Sequence, residues 1–571
     1  MSEQDNTEQQ MASGWIPYPE DRLEELLENA APEIRQCIST LTEQVQKLSE
    51  IGVALSAERE LPKLLERIVE EARNLTHADG GSIYLLDEDK TELHIEIAQT
   101  ASLGIHMGGT GEEVDFPSVP LFTGEGLPNY NNTSAYCALT GEVIHIPDVY
   151  ETDGEFDFTG PKQFDRTHDY RTKSQLSVPL RNHEEEIIGV LQLINARDAE
   201  AGEVVPFSGE GQALASSLAS QAAVAITNTQ LIRDLRGMFD ALIRVIAEAI
   251  DEKSPYTGGH IERVAELTMQ IARAVNEDED ELPGNRFSTD QMEELRLASW
   301  LHDIGKITTP EWVVEKSTKL ETLYDRMEAV ELRYEILKRD REIARLRERL
   351  AADQSMEAQT VEDSGNGEFR KLEQEREWLR QVNAGNVRLT RKDKDRVTEI
   401  GSRRLSLRGE HRSLLEDDEQ RNLMIEKGTL NAEEREIIRN HVVVTRKMLE
   451  QLPYPGGLGN IPRYAGAHHE RMDGSGYPDE LAGEEIPLQA RIMAMADVFE
   501  ALTAEDRPYK EPMTLSEAVR VLKSMVDDGQ MDARLFRVFV RSGVITEYAA
   551  RHIQQEQIDF SEFDSEGNPI G

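Results

Sequence analysis

Apolar residues recur at helical spacing from early in the chain. Ile51, Leu55, Leu61, Leu64, Leu65, Ile68 and Val69 step by three and four, which predicts helix over about 33–76. The stretch ahead of it, 1–32, is polar and acidic and is expected to be a disordered tail. The period then shortens to two. "GGSIYLLDED", "TELHIEIAQ", "GEVIHIPDV", "SQLSVPLRN" and "EIIGVLQLINA" read as strands, with "RNHEEE" as a hairpin turn. Helical spacing resumes in "FSGEGQALASSLASQAAVAITNTQLI", with Ser208 as its N-cap. Helix, strands around an irregular middle, and helix predict an α+β domain over 33–230.

That last helix reads on without a break. Leu231, Leu235, Met238, Leu242, Val245 and Ala249 alternate steps of four and three, the seam of a coiled coil over 231–252. A parallel homodimer through this signalling helix is expected. Residues 253–525 read as an all-α domain with short loops. Within it, 320–427 is dense in charges of both signs, as in "YDRMEAVELRYEILKRDREIARLRERL", and predicts an inserted antiparallel helical hairpin, for which docking of a protein partner is one open reading. The insertion starts by imitating what it displaces. "VVEKSTKLETLYDRMEAVELRYEIL" resembles "MIEKGTLNAEEREIIRNHVVVTRKML", but Val330 or Glu331 stands where the second copy has His441. Residues 526–571 complete the chain as a helical segment and an acidic tail.

The chain has 571 residues, 38% of them hydrophobic, with a formal net charge of −46. At about 150 residues per domain this allows two to four domains. So acidic a surface argues against nucleic-acid polymers and anionic membranes as partners. A phosphate-ester substrate then needs local cations or metals. Cys37 and Cys137 form no CxxC pair, the N-terminus has no secretory pattern, and no apolar run approaches about 20 residues. A cytoplasmic protein without a membrane span is expected.

The candidate chemistry lies in the helical region. In "ASWLHDIGK", Leu295, Ala298 and Leu301 mark a buried helix and Gly305 reads as its stop, which sets His302 and Asp303 in the last turn on apolar ground. Asp497 is likewise flanked by Met493, Ala494, Ala496, Val498 and Ala501. Carboxylates are rarely buried unless paired or metal-bound. His441 follows an amphipathic helical segment, and His468 and His469 open "HHERMDGSGYP". Imidazoles with carboxylates suit Fe, Mn or Zn better than Ca. Gly474 and Gly476 fit either a plain turn or a loop shaped over a pocket, and His411 and His552 read as surface residues.

Two resemblances follow. "DYRTKSQLSVPL", "GVLQLINARD" and "FSGEG" resemble a GAF domain, which implies an unidentified small ligand held beside "EFDFTGPKQFDRTHDYRTKS", or a domain that only dimerises. Asn195 is followed by Ala196 rather than the lysine of some cyclic-nucleotide GAF domains. "PYTGGHIERV", "HDIGK", "HHERMDGSGYP" and "DRPYK" resemble the HD-GYP branch of the HD phosphohydrolases. This resemblance implies a phosphodiesterase that cuts cyclic di-GMP to pGpG, with a second cut to GMP left open. It implies His302, Asp303, His441, His468, His469 and Asp497 as ligands of two divalent transition-metal ions, Fe or Mn, with Asp303 bridging. His260 is then a further ligand or lies behind one. Tyr256 stands where three-metal forms carry Glu, so two ions are expected. Lys306 would stabilise charge on the phosphate, and Tyr477, Arg507 and Lys510 would hold the substrate. "ALTAEDRPY" is one residue longer than the family's commoner spacing before Arg507. A non-hydrolysing cyclic-di-GMP receptor, or a hydrolase of another cyclic dinucleotide such as cyclic GMP-AMP, are the competing readings.

Overall fold

The computed structural model describes residues 32–571 except 153, 155, 199–200, 254–258, 352–356, 408–409, 455–456, 506–511, 561–562, 565–566 and 569–571. The acidic tail over 1–31 lies outside the described residues. Two compact units divide between Met238 and Phe239.

The first unit opens with α1 (Pro32–Ala57) and α2 (Leu61–Thr76). Eight strands follow, β1 (Ala78–Leu86), β2 (Glu92–Thr100), β3 (Ile105–Gly108), β4 (Val119–Pro120), β5 (Ile144–Ile146), β6 (Gln175–Arg181), β7 (Ile187–Arg197) and β8 (Val204–Val205). Between them lie α3 (Thr133–Thr140) and α4 (Thr159–His168), and α5 (Gly209–Asp251) comes last, its residues from Phe239 on belonging to the second unit. The sheet runs β3-β2-β1-β7-β6-β5, with β4 on β2 and β8 on β7, and every pairing is antiparallel.

Strand alternation gives the sheet two covered faces. Ile83, Leu85, Ile97, Val178 and Leu191 pack with α1, α2 and the small-residue stretch of α5 around Ala215, Ala219 and Ala222. Tyr84, Leu93 and Val190 face Ala135, Cys137 and Ala138 of α3 on the other side. As expected, Ser208 caps α5, its hydroxyl accepting from the Gly211 N–H.

In the second unit, α6 (His260–Glu277), α7 (Thr289–Leu301), a 3₁₀ turn (Ile304–Thr308) and α8 (Glu311–Val314) precede the insertion. The insertion holds α9 (Met327–Ala351), α10 (Glu357–Asn383), α11 (Arg391–Gly401), β9 (Arg404–Leu407), β10 (Glu410–Ser413) and α12 (Asp417–Leu423). It is therefore more than a helical hairpin. α9 and α10 do pair, but a third helix, a β-hairpin and α12 close a separate core around Tyr334, Leu337, Leu379, Val397 and Leu414. Charge density along α9 and α10 masked those buried positions in the sequence.

The chain returns through α13 (Ala432–Leu449), α14 (Ile461–Ala465), α15 (Leu488–Thr503), α16 (Leu515–Asp527), α17 (Ala533–Arg541) and α18 (Val544–His552). Their core gathers Leu295, Ala298, Met493, Phe499, Leu522, Phe536 and Phe539. No helix among the described residues is long and apolar enough to cross a membrane.

Candidate metal centre

Each candidate ligand comes from a helix end, an inward helix face or, for His468 and His469, the turn that follows α14. α7 stops at Leu301, so His302 caps it and Asp303 leads into the 3₁₀ turn. Gly305 does not stop the helix by a left-handed turn, since its φ is not among the positive ones. It is glycine for a different reason: a Cβ there would lie 2.0 Å from the His441 carbonyl oxygen and 2.7 Å from the Thr445 nitrogen. The Gly305 N–H donates to Thr445 Oγ1 at 2.9 Å, and that hydroxyl donates to the His302 carbonyl at 3.0 Å. Thr445 thereby joins the His-Asp turn to α13, which carries His441 one turn earlier.

Three histidines are held the same way. Nδ1 faces the carbonyl three residues back, Ser299 for His302 (2.7 Å), Ile438 for His441 (2.5 Å) and Ala465 for His468 (2.6 Å). A donated Nδ1 proton fixes the tautomer and leaves Nε2 as a lone pair. All three Nε2 atoms are buried without a hydrogen-bond partner, as is Asp303 Oδ1. Such orphaned polar atoms are costly unless something binds them.

The carboxylate of Asp303 sits between them. Oδ1 lies 3.2 Å from His441 Nε2, and Oδ2 lies 3.3 Å from His302 Nε2 and 3.8 Å from His260 Nε2. His260, first residue of α6, also places Nε2 3.4 Å from Asp497 Oδ1. Three triads have ligand atoms within 4.8 Å of one another: His441, His468 and His469; His260, His302 and Asp497; His302, Asp303 and His468. Neutral imidazole and carboxylate donors in overlapping triads fit divalent transition ions.

Electrostatics follow from burial and neighbours. Burial works to raise the Asp303 pKa, but Lys306 and His302 hold it well below the usual carboxylate range. Burial lowers His468 to about 3 and His469 well below its ordinary value, so both stay neutral. His302 moves the other way: burial works to lower it, but Asp303, with Asp497 and the Ser299 carbonyl, raises it above its ordinary value. The Lys306 ammonium donates to Asp303 Oδ2.

Three participants escaped the sequence reading. Glu500, one turn after Asp497 on α15, is 1% exposed and accepts from His260 Nδ1 at 2.6 Å and from Arg263 Nε at 2.8 Å. An acid inside "ADVFEAL" was its available signal. Thr445 is the second. Asp251, at the end of α5, is raised to about 6 by burial and lines a cavity of about 30 Å³ with His260, Asp303 and Lys306. Beside it, Lys253 Nζ donates to the Lys306 carbonyl at 3.2 Å.

Tyr477 is half-buried, its ring centroid 4.9 Å from that of His469. The loop carrying it is pinned by buried Glu470, which accepts from the N–H groups of Asp479 (2.7 Å) and Leu481 (3.0 Å). Gly476 is needed there, since a Cβ would lie 2.4 Å from the Arg471 nitrogen. Tyr256, Arg507 and Lys510 lie outside the described residues. His552 is exposed, as read from the sequence, with Nε2 2.6 Å from a Glu266 carboxylate oxygen.

Comparison with known proteins agrees with this layout. A GAF domain model matches 60–226, and two HD domain models match 257–377 and 418–535. A 3′3′-cGAMP-specific phosphodiesterase 1 of Vibrio cholerae is 42% identical over 115 residues, 20% of this chain and 26% of that protein. A probable cyclic di-GMP phosphodiesterase of the same organism is 42% identical over 106 residues, 18% of this chain and 24% of that one. A cyclic di-GMP phosphodiesterase response regulator of Xanthomonas campestris is 42% identical over 105 residues, 18% and 26% of the two chains. The chain thus spans about a quarter of the length of these relatives. Residues 60–226 are a GAF domain, and the helical region after it is an HD domain homologous to the cyclic di-GMP and cGAMP phosphodiesterases, together a GAF–HD-GYP architecture.

Proposed function

We propose that the protein is a metal-dependent phosphodiesterase that hydrolyses cyclic di-GMP to pGpG, under control of its GAF domain. The observation that carries this reading is the convergence of three buried, unpartnered Nε2 atoms and Asp303 Oδ1 on one centre. His302, Asp303, His441, His468, His469 and Asp497 hold two ions, Fe or Mn, with His260 at the edge beside Asp497. When bound, such ions supply Lewis acidity and activate water for attack on phosphorus.

The chain's own groups set up the rest. Asp303 turns its two oxygens towards different histidines, the disposition of a bridging carboxylate. Lys306, partly exposed beside it, offers an ammonium to a phosphate oxygen as negative charge grows there. Tyr477 closes one side of the centre with its ring. Arg507 and Lys510 are proposed to grip the substrate by sequence alone. α5 is proposed as a homodimer seam, the insertion as the docking site for a protein partner, and the cytoplasm as the compartment.

The test is turnover of a cyclic-dinucleotide panel by Mn(II)- or Fe(II)-loaded protein, with metal content measured in parallel. Release of pGpG, lost in Asp303→Ala while the fold persists, is the expected result. Tight binding of cyclic di-GMP without turnover by metal-loaded protein overturns it in favour of a receptor. Cyclic GMP-AMP belongs on the panel because a relative is named as specific for it.

A further inference from the structure

We propose that Arg439 holds the phosphodiester of the cyclic dinucleotide that is not being cut. This rests on the phosphodiesterase reading above. Arg439 is exposed on α13, two residues ahead of His441. Its guanidinium carbon lies over the Tyr477 ring, 5.3 Å from the centroid. Tyr477 in turn lies 4.9 Å, centroid to centroid, from His469. The order imidazole, phenol, guanidinium leads outward from the metal centre to its rim.

Cations are scarce in this chain. The chain carries 109 acidic against 63 basic residues. Most arginines near the helical core are tied to carboxylates, as Arg263 is to Glu500, Arg446 to Asp479 and Arg491 to Asp532. Among the described residues the Arg439 side chain forms no ion pair, and neither does that of Arg471, which also acts on Tyr477 through space. A guanidinium steadied on a ring face keeps its planar donors for a ligand and loses less freedom on binding one. A cyclic dinucleotide carries its two phosphodiesters on opposite sides of one macrocycle. With one at the metal centre, the other projects towards the rim, where a forked cation is the matching group.

Steady-state kinetics of the metal-loaded full chain test this. Arg439→Ala should raise KM for cyclic di-GMP about 10- to 100-fold, the worth of a hydrogen bond to a charged group, while kcat changes by less than about threefold. Arg439→Lys should fall between the two, because it keeps charge but not the fork. Bis(p-nitrophenyl) phosphate has no second phosphate, so its hydrolysis should respond to neither substitution. An unchanged KM for cyclic di-GMP, or equal losses on both substrates, overturns the role of Arg439. Failure of the wild-type protein to cut either diester instead overturns the phosphodiesterase reading itself.

Discussion

The placement of a single proton organises the centre at His302, His441 and His468. Each Nδ1 is turned to a backbone carbonyl, so each lone pair points inward. His260 is handled differently: its Nδ1 faces the Glu500 carboxylate, which also holds Arg263. Burial opposes ionisation of Glu500, but His260 and Arg263 draw its pKa below the ordinary value. A carboxylate behind an imidazole raises its basicity and fixes the ring. Glu500→Gln keeps the volume and removes the charge. It should weaken metal binding about 10- to 100-fold, read by metal titration, with the circular dichroism spectrum unchanged. Full metal affinity in the variant would show that Glu500 only fills space. The histidines were legible because polar residues on apolar ground stand out in a sequence. Glu500 and Thr445 were not, since a lone acid or threonine in a helix carries no mark of what it will face.

The elements of the insertion meet the host domain at a stapled base. Lys316, just before it, pairs with both oxygens of Glu434 in α13, at 2.7 and 2.8 Å, across 118 residues of chain. Glu434 also closes the capping box of α13 with Asn431. These residues lie at the two look-alike helix starts. The first copy supplies the lysine of the staple and the second supplies the acid, while His441 stays with the second. Lys319 is fully buried and donates to the carbonyls of Leu423 (3.3 Å) and Ile425 (2.7 Å). Lys319→Met leaves both carbonyls without that donor and should destabilise the insertion by about 1–3 kcal/mol, measured by denaturant unfolding. The same lysine gives a pH signature. Burial lowers it from 10.5 to about 8, so above pH 8 the native state has released a proton that the unfolded chain still holds. Stability should therefore rise between pH 8 and 10 relative to Lys319→Met. A constant difference between the two proteins across that range would contradict the assignment.

On the scale of the whole molecule, α5 carries an exposed apolar seam. Leu231, Leu235, Met238, Leu242 and Val245 are 54%, 62%, 66%, 55% and 61% exposed, in steps of four and three. Apolar side chains at that spacing are the substance of a two-stranded coil. Leu235→Glu with Met238→Glu should convert a dimer to a monomer in sedimentation; a wild-type chain that is already monomeric at micromolar concentration removes the dimer. The sequence by itself determined the main run of elements, helix, strands and a long helix and then a helical region, because hydrophobic period distinguishes strand from helix locally, but not the short strands or the make-up of the insertion. It also marked His302, Asp303, His441 and His468, which the structure gathers in its interior, because polar residues set among apolar ones stand out. Only tertiary structure decided which lone pairs converge, why Gly305 must lack a side chain, and that the charged insertion hides a core of its own. Those outcomes depend on surfaces that meet across tens of residues in the insertion and more than a hundred at Gly305 and His441, and no local pattern records such a meeting.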